Sequence, residues 1–201
     1  MADREKPTVL VTGFGPFGPH KVNSSMVAVK GLVESDITNL IDLVTEELPV
    51  IYEYVQNEVP NLWKKHKPKL CIHVGVHGLT DKVLLETCAH NDGYQCKPDI
   101  NFKVNSTDHC VQGAPELLHT PIDLKTIHKK AKEKGVPCEI ALSDDPGRYL
   151  CDFTYFTSLH HGDSPTVFIH LPPIQGPYTC EEMAETLKII ILLILEQIQL
   201  L

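Results

Sequence analysis

A thiol, an imidazole and a carboxylate, at Cys151, His170 and Glu86, are the groups from which this sequence could assemble covalent catalysis. Cys151 lies in Ser143-Asp144-Asp145-Pro146-Gly147-Arg148-Tyr149-Leu150-Cys151-Asp152-Phe153, where an apolar run enters a turn and a helical pattern follows. That order predicts the thiol in the first turns of a helix. Free amides and the positive end of the helix dipole stabilise a thiolate there, and the thiolate is the nucleophilic form. Backbone N–H groups at the same terminus suit an oxyanion. The competing reading is an inert buried thiol.

A cysteine nucleophile requires a base that takes its proton and later delivers one to the leaving amine. Of eleven histidines, His170 ends the apolar run 166–170, and Leu171-Pro172-Pro173 stops the strand just after it. It therefore stands at a strand end, where α/β sheets gather their sites. A histidine bonded to a neighbouring loop is the alternative. Glu86 is an isolated carboxylate in the otherwise apolar run 83–88. A buried glutamate needs a partner and His170 would supply one, while an edge strand facing water is the competing explanation. Asp144 and Asp145 are turn formers in Asp-Asp-Pro-Gly, and His160 and His161 read as a solvated helix end.

Other constellations are weaker. Gly13-Phe14-Gly15-Pro16-Phe17-Gly18 fits the dinucleotide fingerprint after a strand. Pro16 and Phe17 crowd the place where a pyrophosphate would approach, and residues 19–22 delay the helix that should meet it. The segment can instead present Phe14 and Phe17 to a small ring, or place both in the core. His73 with His77, and Cys88 with His90, have metal-ligating types at poor spacing, so no metal site is expected.

The elements that must position these groups alternate. Strands are predicted over 8–12, 43–48, 70–76, 83–88, 138–142 and 166–171, and helices over 24–34, 52–66, 123–134, 147–159 and 181–199. This is an α/β pattern, with a sheet covered by helices. The stretch 90–115 is polar and aperiodic and reads as a long surface excursion. No linker or repeat divides the 201 residues, so a single domain over 1–201 is expected, with 1–7 a flexible tail.

Composition narrows the partners. A formal charge of −8 gives no basic face for nucleic acid. Arg148 is one of two arginines, so recognition of an anion by a guanidinium fork would fall to it rather than to Arg4 in the polar tail. Seven cysteines, none in a Cys-x-x-Cys pair, read as free thiols. Residues 1–7 have mixed charge and no apolar stretch, so a reducing, cytoplasmic setting is expected. The apolar run 189–195 is too short to cross a membrane and belongs in a core or an interface.

Taken together, the segments Val11-Thr12-Gly13-Phe14-Gly15-Pro16-Phe17-Gly18 with Val22-Asn23, His73-Val74-Gly75-Val76, Glu86 with Cys88 and His90-Asn91, Gly147 through Tyr155, and His170-Leu171-Pro172-Pro173 resemble the pyroglutamyl-peptidase I family of cysteine peptidases. The resemblance covers nearly the whole chain. It implies a three-layer α/β/α sandwich around a mixed, mostly parallel sheet, with no cofactor. By it, Cys151 is the nucleophile, His170 the base and Glu86 the orienting acid. Phe14, Phe17 and Asn23 would form the ring pocket, with Tyr149 and Leu150 lining the side next to the thiol. The implied partners are small peptides with an N-terminal pyroglutamate, cleaved through a thioester.

Two departures stand out. Microbial members carry an arginine in the loop after the catalytic glutamate, whereas residues 87–100 hold none and only Lys97, so Arg148 becomes the candidate for oxyanion support. His77 stands where a small residue is expected. A catalytically impaired relative that binds capped peptides or a protein partner is the second reading. The sequence does not speak to the oligomeric state.

Overall fold

The computed structural model describes residues 5–201. Of the tail expected over 1–7, residues 1–4 lie outside the described residues, and 5–7 lead without regular structure into the first strand. Six strands form the central sheet: β1 (Thr8–Phe14), β2 (Asp42–Leu48), β3 (Leu70–Val76), β4 (Val83–Glu86), β7 (Ile140–Ser143) and β8 (Thr166–Leu171), in the order β2-β1-β3-β8-β4-β7. Pairings are parallel except that β4 runs antiparallel to β8, so the sheet is mixed and mostly parallel. Two short strands, β5 (Cys88–His90) and β6 (Leu117–His119), pair separately.

Both faces of the sheet are covered, which is why β3 and β8 are buried along their whole length and read as continuous apolar runs rather than as alternation. Helices α1 (Ser24–Val33), α3 (Leu124–Lys134) and α5 (Cys180–Gln197) pack with Val9, Val11, Ile72, Val74, Val167 and Ile169 on one side. Helices α2 (Tyr52–His66) and α4 (Leu150–His161) pack with Leu10, Cys71 and Phe168 on the other. The period of two along a strand then dictates the site. Gly75, His170 and Glu86 fall in the register that faces α4, the helix carrying Cys151.

The helix α5 resolves the choice left by the apolar run 189–195: Ile190, Ile191, Leu193, Ile194 and Leu195 are buried against the sheet. Its start is set by a capping box, in which the Thr179 hydroxyl accepts the Glu182 N–H while the Glu182 carboxylate accepts the Thr179 N–H.

Two expectations are corrected. The run 83–88 is not one strand: it breaks at Thr87, whose N–H and hydroxyl both donate to the Ser143 carbonyl, and β5 leaves the main sheet. The helix expected from 147 begins at Leu150, because Gly147 takes φ +79° and Tyr149 is extended. The stretch 90–115 is irregular and mostly exposed, as expected, and Asn91, Tyr94, Asp99, Asn105 and Cys110 are buried within it. Side chains replace periodic backbone pairing there. The Asn91 amide bonds Val111 and Ala114, Asp99 accepts the N–H groups of Asn101 and Lys103, and Asn105 bonds the carbonyls of Thr107 and His109.

Candidate active site

Cys151 is the second residue of α4. The cap residue Tyr149 makes no side-chain cap bond, and the first backbone bond of the helix runs from the Phe153 N–H to the Tyr149 carbonyl at 3.0 Å. The amides of Leu150, Cys151 and Asp152 precede that bond and have no carbonyl within the helix to bind. They are free donors in the turn that carries the thiol. On the sheet side the thiol lies over Gly75, where an added Cβ would come within 2.9 Å of both the Cys151 Sγ and the Phe168 ring. The bare backbone of β3 is what lets the helix start settle there.

Register brings the other two groups to the same place. Gly75 is opposite His170 across β3 and β8, and Glu86 is opposite Phe168 across β8 and β4, so Glu86 and His170 are diagonal neighbours on one face. His170 Nδ1 lies 2.7 Å from Glu86 Oε1. A carboxylate can only accept, so Nδ1 carries the proton and Nε2 is left for the thiol. Glu86 is fully buried on a strand flanked by β8 and β7, which removes the edge-strand explanation for it. Its second oxygen, Oε2, is buried with no partner among the described residues.

Burial alone would push the His170 imidazole down, but the charge and hydrogen bond of Cys151 and those of Glu86 outweigh it and raise it to about 10. The set therefore favours an imidazolium between two acidic groups. Its frame is rigid. The Phe168 ring lies 4.8 Å from the His170 ring, and the Tyr155 hydroxyl donates to the Glu86 carbonyl at 3.0 Å.

The remaining sequence candidates divide. Phe17 is half-buried, with its ring 6.3 Å from Tyr149, and these two faces flank the helix start. Phe14 and Leu150 are buried in the core shared by α2 and α4. The Asn23 side chain is buried inside the loop: Nδ2 donates to the Gly15 carbonyl, and Oδ1 accepts from the Ser25 N–H and hydroxyl. It braces the Phe17 turn and caps α1. Gly13 serves helix packing, since a Cβ there would sit 2.8 Å from the Met26 Cα. Arg148 Nη1 bonds Asp145 Oδ1 at 2.7 Å, the Gly147 carbonyl at 3.1 Å and Asp152 Oδ2 at 3.3 Å, so the structure engages it with carboxylates rather than with the thiol. His77 stands edge-on to His170, with ring centroids 5.5 Å apart, and its own ring is shifted down by burial and by the His170 charge.

The sequence matches the family model described as pyroglutamyl peptidase over residues 7–191. The chain belongs to the pyroglutamyl peptidase family. It is 41% identical over 189 residues to pyroglutamyl-peptidase 1 of Rattus norvegicus, covering 94% of this chain and 90% of the relative. It is 31% identical to the pyrrolidone-carboxylate peptidase of Pyrococcus furiosus, covering 94% and 99%. Among solved structures, a mutant pyrrolidone carboxyl peptidase from Pyrococcus furiosus superposes with a TM-score of 0.85 at 28% identity, covering 94% of this chain and 99% of that one. The pyroglutamyl peptidase I of Bacillus amyloliquefaciens superposes with a TM-score of 0.84 at 27% identity, covering 95% of each.

Within this pyroglutamyl peptidase fold, three residues to which the sequence assigned no role shape the site. Gly75 reads as an ordinary strand glycine until α4 is seen to lie on it. Tyr52 begins α2, and its ring packs edge-on to Tyr149 at 6.0 Å. Asp152 follows the thiol, is fully buried, and accepts the His90 N–H at 2.9 Å. Desolvation pushes its carboxyl up to about 7 against the pull of the His90 amide, Arg148 and Tyr94. Its place directly after Cys151 was the available clue, hidden because Asp at a helix start is common.

Proposed function

We propose that this protein is a cysteine peptidase that removes pyroglutamate from the N-termini of small peptides, with Cys151 as nucleophile, His170 as acid and base, and Glu86 as the group that orients the imidazole. The Cys151 thiolate attacks the pyroglutamyl carbonyl carbon, and the amides at the start of α4 hold the oxyanion. As the tetrahedral centre collapses, the C–N bond breaks, His170 gives its proton to the departing amine, and a thioester remains. His170, now neutral, takes a proton from water, and the hydroxide adds to the thioester carbonyl. Collapse releases pyroglutamate and the thiolate, and His170 is again the imidazolium.

The observation that carries this reading is the buried Glu86–His170 pair, 2.7 Å apart, with the imidazole held cationic by Cys151 and Glu86 together, in a chain of the pyroglutamyl peptidase family. Selectivity has a physical source. Pyroglutamate is an uncharged lactam without a free α-amine, and it can lie against the half-buried Phe17 and Tyr149 rings, whereas an ammonium would have to shed its water there. The seven free thiols suit a reducing compartment, and no helix among the described residues is long and apolar enough to cross a membrane.

The test is cleavage of a pyroglutamyl peptide followed by mass spectrometry, beside the same peptide beginning with glutamine or proline. Loss of the first residue only from the pyroglutamyl peptide is expected. An intact pyroglutamyl peptide with a folded, reduced enzyme would refute the reading.

A further inference from the structure

The wall of the site that faces Phe17 ends in main chain. The Tyr149 hydroxyl donates to the Pro98 carbonyl at 3.0 Å, and the Tyr52 hydroxyl donates to the preceding carbonyl, Lys97, at 3.3 Å. The Tyr52 N–H, at the start of α2, donates to Asp99 Oδ2 at 3.3 Å. Three consecutive residues of the loop after β5 are thus bonded to two tyrosines. One of these tyrosines lies two residues before Cys151. The tyrosine rings meet edge-on at 6.0 Å, and Phe17 packs against Tyr149 at 6.3 Å, so the row Phe17, Tyr149, Tyr52 joins the first loop, the nucleophile turn and the segment 97–99.

Lys97 and Pro98 are exposed while Asp99 is buried, and the loop's inner turn is closed by Asp99 Oδ1, which accepts from Asn101 and Lys103. Backbone bonds hold its inner end, where the Ile100 N–H donates to the Val50 carbonyl at 3.1 Å, and the two hydroxyls hold the exposed Lys97 and Pro98. The anchors remain donors at every pH of interest. Burial, then the charges of Asp99 and Cys151, pushes the Tyr149 phenol up, and burial, then Tyr149, pushes that of Tyr52 up.

We propose that the Tyr149 and Tyr52 hydroxyls set the width of the ring pocket by holding the main chain of Lys97, Pro98 and Asp99 at a fixed distance from Phe17, and so determine which lactam ring the site accepts. The proposal rests on the pyroglutamyl reading of this pocket and assigns its size selectivity to two hydroxyl groups. Both act as positioning residues, since neither hydroxyl faces the reacting carbonyl in this scheme. A pocket held at one width discriminates rings that differ by a methylene by about 10-fold or more. A pocket whose far wall can retreat does not.

The experiment compares Tyr149→Phe and Tyr52→Phe with the wild type on two anilides, one with the five-membered lactam and one with the six-membered 6-oxopiperidine-2-carbonyl group. Each change removes one oxygen and keeps the ring, so the fold is expected to survive, which thermal melting checks. The ratio of kcat/KM for the two rings is expected to fall by about 2–10-fold in Tyr149→Phe, the worth of one net hydrogen bond, through KM rather than kcat. Amide hydrogen exchange at 97–103 should rise in the same variant. The lactams alone, 2-pyrrolidone and 2-piperidone, give the same ratio by saturation-transfer NMR without turnover. A wild type that cleaves neither anilide would sink the peptidase reading while the NMR ratio still tests the clamp. An unchanged ratio and unchanged exchange in both variants would overturn the clamp while leaving the peptidase reading intact.

Discussion

Glu86 and His170 meet across the antiparallel pairing of β4 and β8, Oε1 to Nδ1 at 2.7 Å, with both side chains buried. The pair would be costly if either member stood alone, because an uncompensated buried charge costs about 3–5 kcal/mol. It is tolerated because each supplies what the other lacks, and its second product is an imidazole turned with Nε2 toward the thiol side.

The pH profile follows from that pair. His170 is raised above its ordinary value of 6.5 to about 10, so the imidazolium, and the stability it lends, is fully present below 6.5 and lost as pH rises through 10. An alkaline limb of kcat/KM is expected in that high range. In Glu86→Gln the limb should move to lower pH and kcat should drop by about 10²–10⁴. A limb that keeps its position in the variant would argue against Glu86 as the group that orients the base.

Gly75→Ala tests the seat of the nucleophile. The new Cβ would lie 2.9 Å from both the Cys151 Sγ and the Phe168 ring, so one of them must shift. Overpacking of this kind costs about 1–3 kcal/mol, while a misplacement near 1 Å costs about 100-fold in rate. Activity should therefore fall far more than stability, read as kcat beside the melting temperature. Wild-type kcat in this variant would show that the thiol does not rest on β3 during catalysis.

Asn23→Ala removes the cap of α1 and the brace on Gly15. Loss of such a cap costs about 0.5–2 kcal/mol. KM for a pyroglutamyl amide should rise as the Phe17 turn loosens, with kcat within about 2-fold, because the variant leaves the triad in place. A fall in kcat alone would place Asn23 in the chemistry instead of the loop.

Asp152 has the same linkage sign as His170, over a lower pH range. Its carboxyl is raised from 3.8 to about 7, so the folded state holds the proton longer and stability is lost as pH rises between those values. The melting temperature of Asp152→Asn minus that of the wild type should be more positive at pH 8 than at pH 5. Equal differences at the two pH values would mean that the carboxyl is not perturbed.

The three candidate groups were legible because each breaks a local pattern: a thiol after a turn, a histidine before a Pro-Pro stop, a carboxylate in an apolar run. What the sequence could not display is which face each strand end presents. Phe14 and Leu150 share motifs with Phe17 and Tyr149, yet the first two are buried in the core and the last two are half-buried and pack on each other at the start of α4. Arg148 looked like an anion binder because it is one of two arginines, and tertiary contacts turned it to Asp145 and Asp152. The stretch 90–115 was legible as an irregular surface segment, but not the side-chain bonds of Asn91, Asp99 and Asn105 that hold it, which leave no period to detect. β6 has three residues, too few for alternation to register.

The measurement that bears most directly on Cys151 is hydrolysis of a fluorogenic pyroglutamyl amide under reducing conditions by the wild type and by Cys151→Ser. The wild type should release the fluorophore. The serine variant, with an unchanged melting temperature, should be slower by about 10³-fold or more, since a hydroxyl is far less ionised than a thiol at neutral pH. Undiminished hydrolysis by Cys151→Ser would contradict the assignment of Cys151 as nucleophile.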